Sequence, residues 1–191
     1  MAHSGHGGFD GGAVVGDVLE KNINLAIANT LSDMLQLSGI DVIKTRSDDS
    51  STESDPSLST SARKKSDLRN RLSIINSHPD GIFVSIHLNK FPSSSAKGAQ
   101  IFYGTNNENS GILAENIRQS IVNALQPQNK RTLKKGTKDT YLLIGAKTPA
   151  VIVECGFMSN DAELKCLLDE EYQNKMAFAV YCGIMNYLLK E

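Results

Sequence analysis

The sequence predicts an α/β fold: a single domain with a twisted, mainly parallel or mixed sheet and helices on both faces. Three observations predict it. Segments with helical apolar spacing alternate with short apolar runs of strand length, the order that builds a sheet covered by helices. The run Gly81-Ile82-Phe83-Val84-Ser85-Ile86 is apolar almost without alternation, the sign of a strand buried on both faces. A chain of 191 residues with 40% hydrophobic content supplies one substantial core, and no internal repeat or composition break marks a second domain within residues 1–191.

The elements follow in order. Residues 1–16 are Gly-rich and lack either period, so they read as loop. From Glu20 to Leu37 apolar side chains recur at Ile23, Ile27, Leu31, Met34, Leu35 and Leu37, which is helical spacing. Gly39 stands in the C-terminal cap position. Ile40, Val42 and Ile43 read as a short buried strand. Residues 47–61 are rich in Ser, Thr and Asp and read as an exposed loop. Leu68, Leu72 and Ile75 mark a second helix that closes near Asn76, and the Phe83 strand follows. A strand over residues 99–103, a helix over 112–125 and a basic loop over 127–139 come next. Residues 141–144 and 150–153 read as short strands, and residues 162–168 and 171–189 as closing helices.

Composition narrows the function. A net charge of −1 gives no bulk basic face for nucleic acid. No run approaches the roughly 18–20 apolar residues of a membrane span, and no signal peptide is read at the N-terminus. The three cysteines, Cys155, Cys166 and Cys182, have no short spacing, so they are expected as small buried apolar residues rather than as a disulfide framework or a metal site. The basic segment with Lys130, Arg131, Lys134, Lys135 and Lys138 reads as solvated surface or as a contact for an anionic polymer.

Four positions fit one zinc hydrolase site: His6 in Gly5-His6-Gly7-Gly8, Glu20, His87 in Ser85-Ile86-His87-Leu88-Asn89, and Glu154 after Ala150-Val151-Ile152-Val153. Two imidazoles and one carboxylate are a recurring catalytic set, and a second carboxylate serves as proton acceptor. His87 and Glu154 are expected to close their strands at the carboxyl edge of the sheet, where ligands bind in such folds. Glu20 opens a helix, where a carboxylate is favoured with or without a metal. Glu154 would be costly to bury after four apolar residues unless it had a partner. His3 and His78 are weaker ligand candidates.

These residues carry a family resemblance. Gly5-His6-Gly7-Gly8 with Asp10, Leu19-Glu20-Lys21-Asn22, Thr45-Arg46, Leu68 with Arg71, Phe83-Val84-Ser85-Ile86-His87-Leu88-Asn89 and Val153-Glu154-Cys155-Gly156-Phe157 stand in the order of the zinc-dependent N-acetylmuramoyl-L-alanine amidases, which the chain resembles from Gly5 almost to its end. The resemblance implies zinc held by His6, Glu20 and His87, with Glu154 as the catalytic carboxylate, and peptidoglycan as substrate. It is closest in character to the germination-specific amidases of endospore-formers, which implies export to the cell wall or the forespore intermembrane space and action on spore cortex in muramic lactam formation. Arg71, like Arg46, is expected in an ion pair or at a sheet edge, with substrate contact the second option. Asn89 is expected either to orient a ligand or to touch substrate. Members of the family carry a strand ending in Asp just before the Gly-His-Gly-Gly loop. Here only Met1 to Ser4 precede it, so the first strand reads as truncated. That motivates an alternative: a weak or silent wall-binding protein, or one that needs a protein partner to hold its zinc.

Overall fold

The computed structural model describes residues 1–53 and 55–189. In chain order the elements are β1 (Ala2–Ser4), β2 (Val14–Val15), β3 (Val18–Leu19), α1 (Glu20–Leu37), α2 (Thr60–Asn76), β4 (Phe83–Asn89), β5 (Gln100–Tyr103), α3 (Asn109–Ala124), β6 (Lys134–Lys135), α4 (Tyr141–Gly145), β7 (Ala150–Phe157), α5 (Asp161–Leu167) and α6 (Glu170–Leu188). Five strands form a mixed sheet in the order β1-β4-β7-β5-β6. β1, β4 and β7 run parallel, β5 runs antiparallel to β7, and β6 is parallel to β5.

Strand alternation divides the core in two. Val84, Ile86 and Leu88 of β4, Val151, Val153 and Cys155 of β7 and Ile101 of β5 join the main cluster with Ile27 and Leu31 of α1, Ile117 of α3 and Val180 of α6. The alternate residues Phe83, Ala150, Ile152 and Phe102 pack on the opposite side with Ile75 and Leu72 of α2 and Leu142 and Leu143 of α4. On this second face the apolar residues give way, toward the carboxyl ends of β1, β4 and β7, to His3, Ser85, His87 and Glu154 (His3 pairs with Ser85 across β1 and β4, and His87 with Glu154 across β4 and β7). The smaller cluster thus ends in a polar row.

The structure corrects several expectations. Ala2–Ser4 form a three-residue strand that pairs in parallel with Val84, Ser85 and Ile86, so residues 1–16 are not all loop, and the hairpin β2–β3 follows. Ile40, Val42 and Ile43 do not form a strand; the segment meets the sheet at a bridge from Lys44 to Ala2, with the Ala2 N–H donating to the Ile43 carbonyl at 3.0 Å. Residues 141–144 form the helix α4 rather than a strand, because Thr140 receives the turn: its carbonyl accepts from the Leu143 and Ile144 N–H groups. The basic loop contains the edge strand β6. Both β4 and β7 continue past the residues expected to close them, so His87 and Glu154 lie within strands. Cys155 is buried as expected, but Cys166 is exposed and Cys182 half-buried.

Candidate metal centre and active site

The loop after β1 is shaped by close approaches. Gly5 passes so near the His87 ring that a Cβ there would lie 2.2 Å from Cε1. Gly12, at φ +71°, packs where a Cβ would be 2.6 Å from both Glu20 Oε2 and His6 Cδ2. Only glycine allows backbone this close to the imidazoles. His6 itself adopts the left-handed region at φ 61°, unusual for a residue with a side chain. The strained residue is fixed from behind by buried Arg71, whose Nη2 donates to the His6 carbonyl at 2.8 Å and whose Nη1 donates to the Ser4 carbonyl at 3.1 Å.

The side chains of His6, Glu20 and His87 converge, with one donor atom from each lying within 4.8 Å of the others. His6 Nε2 is 3.2 Å from Glu20 Oε2, and His87 Nδ1 is 3.0 Å from Glu20 Oε1. Glu20 is buried and thoroughly held. The Ala13 N–H donates to Oε2 at 2.8 Å, while the Leu88 N–H and Asn24 Nδ2 donate to Oε1 at 3.1 and 3.0 Å. The other ring nitrogen of His6, Nδ1, is 2.7 Å from Asp10 Oδ2, and Lys64 pairs with the second oxygen of Asp10 at 2.8 Å. With Asp10 ionised, Nδ1 is the donor, which points His6 Nε2 at the shared space.

Electrostatics agree with a cationic occupant. Burial works against the carboxylate of Glu20, yet hydrogen bonds from His6 and His87 outweigh it and hold the acid well below the usual range. Asp10 is likewise opposed by burial and held well below the usual range by His6 and Lys64. For His6, burial opposes the charged ring, but Asp10 and Glu20 raise its pKa to about 9. Glu154 behaves differently. Burial dominates and pushes its carboxyl up to about 7. Its Oε2 atom is buried with no hydrogen-bond partner among the described residues. A buried acceptor left unpaired is costly, so this oxygen marks a place where a further group belongs. A cleft of about 250 Å³ opens beside the centre, between His6, His87, Phe9, Lys64, Leu68 and Leu142.

The four residues expected to share a site are therefore brought together. The other candidates separate. His3 is buried but stands behind the centre: Arg71 Nη1 donates to its Nε2 at 2.6 Å, so Nδ1 carries the proton and donates to Ser85 Oγ at 2.7 Å. Burial first, then the Arg71 charge, hold its pKa well below the usual imidazole range. His78 lies at the surface on Ser77 and Ile74. Arg71 places every one of its nitrogens on a protein atom, including Nε on Asp67 at 2.6 Å, an arrangement that suits the ion-pair role. Arg46 is similarly spent on the carbonyls of Ser4, Gly5, Lys21 and Asp48. Asn89 is half-buried where the β4–β7 register shifts, and its carbonyl accepts from Met158 N–H at 2.8 Å. Sequence reasoning assigned no role to Asp10, Asn24 or Gly12. The available signal was the His6-x-x-x-Asp10 and Glu20-x-x-x-Asn24 spacings, neither of which is distinctive alone.

Comparison with known proteins agrees with this arrangement. A family model described as N-acetylmuramoyl-L-alanine amidase matches residues 1–186. The germination-specific N-acetylmuramoyl-L-alanine amidase of Bacillus subtilis is 37% identical, over 98% of this chain and 78% of its own. Among solved structures, the CwlD amidase from Clostridioides difficile, in complex with the GerS lipoprotein, superposes with a TM-score of 0.94 at 41% identity, covering 99% of this chain and 97% of that one. The AmiC2 amidase of Nostoc punctiforme superposes with a TM-score of 0.82 at 29% identity, covering 98% and 94%. Family match, relatives and fold agree: this chain belongs to the N-acetylmuramoyl-L-alanine amidase family of peptidoglycan hydrolases.

Proposed function

We propose that the chain is a zinc-dependent amidase that cleaves the bond between the lactyl group of N-acetylmuramic acid and the L-alanine of the stem peptide, acting on spore cortex as one catalytic domain in muramic lactam formation. The observation that carries this is the unpartnered Oε2 of Glu154 beside the His6, Glu20 and His87 donors. Two imidazoles and a carboxylate suit zinc. Zinc held there supplies a Lewis acid that acidifies water and polarises the amide carbonyl.

The chain's own residues do the rest. Glu20 and Asp10 orient the His6 ring from its two nitrogens, and Glu20 also meets His87. Glu154 takes the proton of the attacking water at Oε2 and returns it to the departing L-alanine nitrogen. One carboxyl serves both transfers, because the proton it accepts from water is the one the departing nitrogen needs. The Gly5 and Gly12 backbones keep the imidazoles packed. Arg71 positions the His6 loop from behind, and Asn89, two residues past His87 on β4, is assigned as orienter or substrate contact.

Export to the cell wall or the forespore intermembrane space follows from this reading, and no helix among the described residues is long and apolar enough to cross a membrane. The similar Clostridioides difficile amidase was solved with the GerS lipoprotein, which supports a protein partner for this chain; the reading gives that partner the role of steadying the metal centre. The test of function is a digest of purified peptidoglycan with and without added zinc, read by mass spectrometry. Stem peptides with a free N-terminal alanine, released only with zinc, are expected. Folded, zinc-supplied protein that releases none, alone or with a partner, would refute the reading.

A further inference from the structure

A second cleft opens beside the C-terminal end of α3 and the start of β5. Its volume is about 610 Å³, and its walls include Lys97, Gly98, Gln126, Lys130, Arg131 and Glu163. It is tied to the centre through the strands. Gln100 of β5 is the register partner of Glu154. Arg131 lies over the ring of Phe157, three residues past Glu154 on the same strand, at 4.4 Å from the ring centroid. Gln126 donates to the Cys155 carbonyl.

The walls are built rather than incidental. Asn129 donates to the Ala99 carbonyl and to Gln126 Oε1, and Gln126 Oε1 accepts from the Ala99 N–H. The one acid, Glu163, is already committed: its two oxygens accept from the N–H groups of Gly98 at 2.7 Å and Phe157 at 2.8 Å. Arg131 is aimed by its Nε, which donates to the Lys97 carbonyl at 2.7 Å, and by a long contact of 3.4 Å from Nη1 to Gln100 Oε1. Its Nη2 makes no hydrogen bond to any described residue. Among the described residues, no carboxylate pairs within 4.0 Å with Lys97, Lys130 or Arg131. Three cations therefore face one cleft against the single carboxylate of Glu163, and one of them is a fork laid on an aromatic ring. That arrangement suits a carboxylate.

We propose that this cleft is a carboxylate-binding subsite for the stem peptide, with Arg131 and Lys97 as its recognition groups. The proposal rests on the amidase reading and adds a direction to it: the peptide leaves Glu154 toward β5 and β6, and the glycan lies on the opposite side, toward Phe9. Recognition is by charge-assisted hydrogen bonds to a peptide carboxylate, which the glycan's hydroxyls cannot replace.

The test compares a soluble muramyl tripeptide carrying free carboxylates with the same compound capped as carboxamides, both with zinc-loaded enzyme. The ratio of kcat/KM for the free over the capped substrate should be about tenfold, the worth of one partly exposed charged hydrogen bond. It should fall toward one in Arg131→Gln and in the double variant Lys97→Gln/Lys130→Gln, through KM rather than kcat. The double variant alters exposed side chains only, so it remains informative if Arg131→Gln fails to fold. Lys138→Gln should leave the ratio unchanged. A ratio near one in the unmodified protein, or an equal fall in Lys138→Gln, would overturn the subsite. If neither compound is cleaved, the peptidoglycan digest decides the amidase reading separately. The subsite is then decided by titrating the free-carboxylate tripeptide into the protein: binding lost in the double variant supports it, and no binding at millimolar peptide overturns it.

Discussion

His87 and Glu154 are register partners on adjacent parallel strands, so an imidazole and a carboxyl leave the same face of the sheet side by side. Their environments push them into different roles. His87 meets the ionised Glu20 at 3.0 Å, whereas Glu154 has a buried oxygen with no hydrogen-bond partner among the described residues. Glu154→Gln keeps shape and volume while removing the proton acceptor. Turnover should fall by at least about 10²–10⁴-fold, with zinc content unchanged by elemental analysis. Loss of zinc in that variant would make Glu154 a ligand instead.

The same substitution makes a stability prediction. Glu154 has a folded pKa of about 7 against an ordinary 4.5, raised chiefly by burial. Below pH 4.5 both states hold the proton and nothing is lost. As pH rises through 4.5 to 7 the unfolded state ionises first, so the folded state loses stability, and the cost is complete above 7. Metal-free Glu154→Gln should therefore be more stable than the unmodified protein at pH 8, by on the order of 3 kcal/mol. The advantage should vanish near pH 4 in denaturant titrations and shrink with zinc bound, since a cation favours the ionised acid.

Arg71 tests how the centre is anchored. It is buried, paired to Asp67 at 2.6 Å, and holds the carbonyls of Ser4 and His6. Arg71→Ala leaves Asp67 without its partner and frees a loop whose His6 sits in the left-handed region. A loss of about 3–5 kcal/mol is expected from breaking such a pair. Arg71→Lys restores the charge but not the fork, so it should recover part of the stability while zinc affinity stays lowered, measured by competition with a chelator.

How far these features could be read from the chain depended on how local their causes were. α1 was legible to both ends, because Ile23, Ile27, Leu31 and Leu35 repeat on one face and Gly39 at φ +79° ends it. The run Tyr141-Leu142-Leu143-Ile144 was not: four adjacent apolar residues suit a buried strand or one helical turn, and the choice was made by Thr140 and by packing on α2. Ile40 and Val42 had strand composition, but the segment meets β1 only at Ile43 and Lys44 among the described residues. At the site, His6, Glu20, His87 and Glu154 were readable as motif positions. Asp10, Asn24 and the packing of Gly5 were not, since a turn Asp, a helix Asn and a loop Gly carry no mark until the distant residues they touch are in place.

Gly5 supplies the next prediction. Its Cα faces the His87 ring so closely that Gly5→Ala must displace the imidazole, a Cβ lying 2.2 to 2.6 Å from three ring atoms. The backbone there is tied to β4 by the Gly5 N–H, which donates to the Ile86 carbonyl at 3.0 Å, so the loop cannot withdraw cheaply. The ring must turn. Zinc affinity should drop by about 10–100-fold, the loss typical when a ligand's orientation is disturbed. Global stability should fall by about 1–3 kcal/mol, as for other overpacked sites. Unchanged zinc affinity in a folded Gly5→Ala protein would remove His87 from the ligand set.

The charge on His6 fixes how metal binding depends on pH. In the metal-free protein its pKa is about 9, because Asp10 and Glu20 outweigh burial, against 6.5 for an ordinary imidazole. Sign follows from linkage: the stabilisation is fully present below 6.5 and is lost as pH rises through 9. A metal at Nε2 needs the neutral ring, so zinc must displace that proton. Titration calorimetry at pH 7.5 in buffers of different ionisation enthalpy should therefore show about one proton released per zinc, and the zinc affinity should fall about tenfold for each pH unit below 9 down to the point where other ligands titrate. In Asp10→Asn the His6 ring loses one of its two acid partners. Less than one proton should then be released at pH 7.5, while zinc binds more weakly for want of the group that orients the ring. Full proton release in that variant would show that the displaced proton comes from another residue.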